Sequence, residues 1–227
     1  MRTDEPKPRN VPLVWSPYDF EVVTSEVLTR PDSSPSRSFA DVIAKRRSAV
    51  GNPVDLNSVA ELLWWAVGWK GYASGGRAGL PIAWATSPSS GGLQSVNVVC
   101  IADDGSAPRL YDPVHHVFLT LRADNELVQA ENRQSVLSVT GLQSGCTLRL
   151  VSDCSKISAA YENFDSLVFR DAGAVLATIC LCAEWLGLAA CPLGFLGSAM
   201  LPLLGLPQDR FQAVGGVQVS RPRDAKG

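Results

Sequence analysis

The chain has 227 residues, 46% of them hydrophobic and 19% charged, which suffices to bury one full core and at most one and a half domains. Its formal net charge of −2 excludes any bulk electrostatic attraction to nucleic acid or to an anionic membrane. The six cysteines, Cys100, Cys146, Cys154, Cys180, Cys182 and Cys191, include no C-x-x-C pair and match neither a disulfide framework nor a zinc site. Free buried thiols in a reducing cytoplasm are the expectation.

Residues 1–37 begin with a charged stretch that lacks the apolar core of a signal peptide. They carry Pro6, Pro8, Pro12, Pro17, Pro31 and Pro35, the composition of an arm that wraps a surface or stays mobile. A domain is expected over 38–220, with a short tail over 221–227. Ser38 is placed to cap a helix over Phe39–Arg46, and Asp55 a second that runs through Val59, Leu62, Leu63, Ala66 and Val67 and stops near Gly68. Glycine, proline and serine dominate Gly71–Gly92, which reads as one long loop. Strands are expected at Val96–Ala102, Arg109–Tyr111, Val117–Leu121 and Cys146–Val151, and helices at Asp124–Arg133 and Ser155–Glu162. Leu167–Ala190 is apolar enough to suggest a membrane span, but Arg170, Asp171 and Glu184 interrupt it. A core helix covered by protein or by a second subunit fits better. A short helix at Ser198–Leu204 and a last strand at Phe211–Val219, interrupted by Gly215-Gly216, complete an α+β domain whose helices surround a mixed or antiparallel sheet.

Several chemistries lack their residues. Only His115 and His116 exist, and neighbours on a strand point to opposite faces, so no metal pair is expected. No G-x-S-x-G elbow, Walker loop or G-x-G-x-x-G turn is present. What remains is distributed. Ser87 to Gln94 combines three hydroxyls, two adjacent glycines and an amide, and is either an ordinary turn or a loop that lets a ligand approach the backbone. Arg46 and Arg47 with Ser48 can hold a phosphate, or can simply end a helix as dipole-compensating charges. Pro192-Leu193-Gly194 offers backbone N–H groups.

Taken in order, Arg46-Arg47-Ser48, Leu62-Leu63-Trp64-Trp65-Ala66-Val67-Gly68, Pro88 to Gln94, Leu110 to His116, Asp171-Ala172-Gly173 and Leu186 to Gly194 resemble the nitroreductase superfamily over about residues 38–220. More narrowly, the set is similar to the SagB-type dehydrogenases, whose members include azoline oxidases of peptide natural products. The resemblance implies an FMN oxidoreductase acting as a homodimer, with the long core helix and the flavin at the subunit interface. It implies that Arg46, Arg47 and Ser48 hold phosphate and ribityl oxygens, with Arg221 or Arg223 completing that site. Pro88, Ser89, Ser90, Gly91, Gly92 and Gln94 would border the flavin from the partner chain, and Leu193 and Gly194 would lie against the ring. Azoline oxidases carry a Lys-Tyr pair before the core helix, whereas this chain has Ala160-Tyr161 there. Tyr161 is then the candidate acid or base, with Lys156 five residues away and out of helical phase. Three functions follow: a dehydrogenase or oxidase acting on a small molecule or modified peptide, a reductase drawing on NAD(P)H, and a non-catalytic subunit that docks partners in a biosynthetic complex.

Overall fold

A computed structural model describes residues 4–76 and 79–223. The expected arm, loop and tail each extend over some residues outside that set. In chain order the strands are β1 (Lys7–Pro8), β2 (Val22–Val27), β3 (Trp69–Ala73), β4 (Ile82–Ala85), β5 (Val96–Ala102), β6 (Arg109–Asp112), β7 (Val117–Leu121), β8 (Cys146–Asp153), β9 (Tyr161–Glu162), β10 (Ala189–Leu193) and β11 (Phe211–Ser220). The helices are α1 (Phe39–Lys45), α2 (Leu56–Val67), α3 (Asn125–Thr140), α4 (Cys154–Ala160), α5 (Asp165–Leu186) and α6 (Met200–Leu203). Seven strands form one antiparallel sheet in the order β10-β11-β8-β5-β6-β7-β2.

Both faces of this sheet are buried, and strand alternation divides the core. Val98 and Cys100 on β5, with Cys146, Leu148 and Leu150 on β8, pack beneath α2 and α5. Val99, Ile101 and Val151 point the other way, into a second cluster with Val128 of α3 and Met200 and Leu201 of α6. The helix ends follow their capping residues. Ser38 Oγ accepts from the Asp41 N–H at 3.1 Å, and Asp55 Oδ1 accepts from the Ser58 N–H at 2.8 Å. A buried stripe of Leu167, Val168, Ala172, Val175, Ile179 and Ala183 fixes α5 as a core helix.

The helix expected at Asp124–Arg133 runs on to Thr140, and four further sequence expectations change. The stretch read as one loop contains the β3–β4 hairpin, and Gly71, which looked like a loop signal, is a strand residue. A Cβ there would meet the Trp84 ring at 2.9 Å, so the glycine makes room for an indole lying across the strand. The core helix ends at Leu186 because Gly187 adopts φ 77° and returns its N–H to Ala183 and Glu184, after which Ala189–Leu193 becomes an edge strand that tolerates Pro192. Tyr161 is extended, with φ −133° and ψ 145°, and closes α4. The two histidines lie in the turn before β7, not on a strand. His116 is buried between the Tyr111 hydroxyl at 2.9 Å and the Thr29 carbonyl at 3.2 Å, while His115 is exposed beside Asp112.

The N-terminal arm wraps the molecule from one side to the other. Lys7 and Pro8 pair with β9, the Leu13 N–H reaches the Ala159 carbonyl at 2.9 Å, and β2 joins the far edge of the sheet beside β7. Proline thus marks a chain that lies on a surface, and its one extended stretch free of proline supplies a strand.

Candidate functional site

The sequence candidates assemble into two groups on opposite parts of α5. The first follows α1. Arg46 is its C-cap, and Arg47 Nη1 folds back to donate to the carbonyls of Ala44 at 3.0 Å and Arg46 at 2.9 Å. Ser48 then bridges Ala190 in parallel, while Asn52 bridges Arg221 in antiparallel fashion. The Gly51 N–H donates to Ser220 Oγ at 2.8 Å, and a Cβ on Gly51 would lie 1.9 Å from the Arg221 carbonyl oxygen and 3.0 Å from the Arg223 nitrogen. Only glycine permits this approach, so residues 46–52 thread between β10 and the end of β11. The result places Arg46, Arg47, Ser48, Arg221 and Arg223 around one end of the sheet. Leu193 and Gly194 mark the other end of β10, about 10 Å from the Ser48 bridge at strand rise.

The charges of this group are unevenly matched. Arg221 Nη2 pairs with Asp55 Oδ2 at 2.5 Å, and the Asp55 carboxyl is held down at about 2 by the Ser58 backbone N–H and then by Arg221. Arg46 and Arg47 lie in no salt bridge among the described residues. Arg46 and Arg47 are adjacent in the chain, and guanidinium groups in no ion pair among the described residues are donors of the kind that suits phosphate. Gly194 is exposed, and a Cβ there would meet nothing within 4 Å, leaving its backbone open to a flat ligand.

The second group is the serine-glycine loop. The Ser90 N–H and hydroxyl both donate to the Asp171 carboxylate of α5, at 2.9 and 3.0 Å from nitrogen and 2.8 Å from Oγ. Burial pushes the Asp171 carboxyl up, against the downward pull of the Ser90 bonds. Ser89 Oγ accepts from the Gln94 N–H at 3.0 Å, and Gln94 Nε2 reaches the Ser87 carbonyl at 3.3 Å. Pro88 leads into a single 3₁₀ turn at Ser90–Gly92, with φ 60° at Gly91 and 72° at Gly92. A Cβ on Gly91 would stand 2.8 Å from Tyr161 Oη, so the tyrosine lies directly against this loop. Tyr161 also lines a cavity of about 500 Å³ with Arg9, Ile82 and Gly91.

Lys156 is not brought to Tyr161. It lies under the arm, with Nζ 4.9 Å from the centre of the Trp15 ring and 5.8 Å from that of Trp69, and lines a different cavity. Asp171 carries no task in the sequence motifs, yet it anchors the loop. No local signal distinguished it from the other polar residues that interrupt the helix.

A model of the nitroreductase family matches residues 43–219. The chain belongs to the nitroreductase family. Solved nitroreductase folds agree with the architecture described above. A protein named as a nitroreductase from Ralstonia eutropha JMP134 is 22% identical, with a TM-score of 0.68 over 94% of this chain and 98% of its own. One from Desulfovibrio desulfuricans in complex with FMN is 18% identical, with a TM-score of 0.53 over 82% of this chain and 87% of that one. The Escherichia coli microcin synthetase McbBCD complex with truncated pro-MccB17 bound is 16% identical, with a TM-score of 0.56 over 88% and 79%. A comparison with curated proteins returned no match.

The two groups of this nitroreductase-family chain lie at different levels along α5. Asp171, which holds the loop, and Cys180, whose thiol is lifted to about 11 by burial and lowered in part by the Arg46 charge, are nine residues apart on α5. At helical rise that separation is about 13 Å. The exposed side of the helix along this stretch carries Phe169, Gly173 and Ala177 at successive turns, and the neighbouring α1 exposes Phe39 and Ile43 one turn apart. These residues give an apolar surface between the two groups.

Proposed function

We propose that the protein is an FMN-dependent oxidoreductase of the SagB type, working as a cytoplasmic homodimer that moves hydride between an organic substrate and the flavin. The observation that carries this reading is that Arg46 and Arg47, in no salt bridge among the described residues, precede the Ser48 bridge to β10, the edge strand that leads to the exposed backbone at Gly194. Arg46, Arg47, Ser48, Arg221 and Arg223 would hold the phosphate and ribityl oxygens, and Leu193 and Gly194 the ring. Pro88, Ser89, Ser90, Gly91, Gly92 and Gln94 of a second copy would close over it, with Asp171 fixing the Ser90 backbone. FMN supplies a two-electron carrier; the chain positions the substrate and excludes water. Tyr161, packed on Gly91, would give or take a proton at its Oη beside the ring, a role for which a hydroxyl at a loop–cavity border is suited.

The substrate class is a small molecule or modified peptide from a biosynthetic pathway, a reading favoured by the fold shared with the microcin synthetase complex. Six free thiols support a reducing compartment. The test is spectroscopic. Purified protein is expected to be yellow and to release FMN on denaturation; colourless protein that cannot be reconstituted with FMN refutes the enzymatic reading and leaves a docking subunit. Anaerobic NADH or NADPH is expected to leave the flavin colour unchanged, whereas rapid bleaching would reassign the protein as an NAD(P)H-dependent reductase.

A further inference from the structure

The largest fully buried side chain among the described residues is a cation, and it lies outside the residues assigned to the flavin so far. Arg149, on β8, is 2% exposed and forms no salt bridge among the described residues. Its Nε and Nη2 both donate to Asn132 Oδ1, at 3.0 and 2.8 Å. A directed chain of buried bonds keeps that amide from turning over. Asn132 Nδ2 donates to Thr147 Oγ1 at 2.9 Å, Thr147 Oγ1 to Gln218 Oε1 at 2.6 Å, and Gln218 Nε2 to the Ser144 carbonyl at 2.7 Å. Burial lowers the guanidinium to about 10, which leaves it charged at neutral pH. A buried cation without a carboxylate partner costs stability, so core packing alone does not account for it.

What the guanidinium touches is the turn that follows β10. Its central carbon lies 4.3 Å from the centre of the Phe195 ring. Nη1 is buried with no hydrogen-bond partner; a Cβ on Gly197, which has φ 88°, would stand 2.7 Å from it, so this nitrogen packs on bare backbone. Between these contacts the Leu196 carbonyl accepts from the Gly215 N–H at 3.1 Å, and the Gly197 carbonyl from the Met200 N–H at 3.0 Å. Gly194, the adjoining residue, is exposed. One planar group, itself fixed by Asn132, thus clamps residues 195 and 197 while the backbone at 194 stays open. We propose that Arg149 is a positioning residue for the flavin ring, holding Phe195 and Gly197 so that the Gly194 backbone meets the ring in one geometry. This role rests on the flavin reading above, and adds to it a residue two strands in from the sheet edge.

The experiment pairs amide hydrogen exchange in the full-length protein without added FMN with titration of FMN by fluorescence quenching. Arg149→Met removes the planar fork, and Phe195→Leu the ring it stacks on. A turn that holds its binding geometry only about one-tenth of the time weakens FMN about tenfold and leaves the Gly215 and Met200 amides nearly unprotected. Both results are expected of either variant, with the amides of β5 still protected. Phe195→Tyr keeps the stacked face and is expected to retain affinity and protection. The double variant should bind FMN no more weakly than the poorer single one, since both changes break the same contact. Unchanged affinity in Phe195→Leu, additive losses in the double variant, or lost protection with parental FMN affinity overturns the assignment. Should Arg149→Met not fold, the Phe195 variants decide alone. A parent protein that binds no FMN withdraws the flavin reading and this role together, whereas normal parental binding with any of those contrary results withdraws this role alone.

Discussion

Replacing Asp171 tests whether the serine-glycine loop is held by α5. Its carboxylate accepts from both the N–H and the hydroxyl of Ser90. Hydrogen bonds to a charged group contribute about 1.5–3 kcal/mol each, and Asp171→Ala leaves two donors without a partner. Removing a buried carboxylate recovers part of that loss, so the net destabilisation is about 2–4 kcal/mol. For a chain of this size that lowers Tm by roughly 5–15 °C. Asp171→Asn keeps an acceptor oxygen and should stay within about 1 kcal/mol of the parent. The pH dependence has a definite sign. Burial raises the folded Asp171 value above the unfolded one, so the folded state holds more protons between them and stability falls as pH rises through that window. Asp171→Asn should flatten this slope. Thermal melts by circular dichroism from pH 4 to pH 8, with urea titrations at the end points, provide the measurement. An Asp171→Ala protein melting within about 2 °C of the parent, or an Asn variant as unstable as the Ala variant, would refute the reasoning.

Three further outcomes are expected. Gly91→Ala forces a Cβ into a left-handed position 2.8 Å from Tyr161 Oη, and should cost at least about 1–2 kcal/mol in urea titrations; Tyr161→Phe should restore part of it, and no rescue would count against the contact. Burial lowers the Lys156 ammonium from the ordinary 10.5 to about 8, with Asp153, itself paired to Arg210, opposing the shift. The unfolded chain therefore binds the extra proton between those values, and stability should rise by up to roughly 3 kcal/mol as pH increases from 7 to 10, a gain that must vanish in Lys156→Met. Arg47→Ala should weaken FMN retention roughly ten- to hundredfold in equilibrium dialysis, and unchanged retention would remove Arg47 from the proposed phosphate site.

Local signals made much of the fold legible. Ser38 and Asp55 cap helices that begin at Phe39 and Leu56, and the continuous apolar run Val98, Val99, Cys100 and Ile101 marks a strand buried on both faces. Failures came where a distant residue decides the outcome. Gly71 reads as a turn until the Trp84 indole on the paired strand occupies the space of its missing side chain. Lys156 reads only as a helix residue five positions from Tyr161, but Trp15, more than a hundred residues earlier, lies against its ammonium. Nothing local in the sequence shows that Ser48 bridges Ala190 and Asn52 bridges Arg221, pairings between segments more than a hundred residues apart. Tyr161 was isolated in the sequence; β1 pairing and the bare Gly91 backbone bring it to the loop.

Under the proposed function, two copies would share the flavin site along α5. Nine residues of rigid helix separate Asp171 from Cys180, and side chains cannot shorten that distance without breaking backbone hydrogen bonds. A two-fold axis passing near Gly173 and Ala177 would lay the loop end of one helix beside the arginine end of the other, and would create two equivalent sites at once. Both residues are exposed and small, so a second helix could approach closely there. The same packing would cover Phe39, Ile43 and Phe169, which are exposed in the single copy. Gly173, where a Cβ would meet nothing within 4 Å, then becomes the diagnostic position. Gly173→Trp leaves the single copy unstrained but blocks a helix approaching its face. It should yield a folded monomer by sedimentation that no longer retains FMN, whereas a dimer with full flavin would remove α5 from the interface.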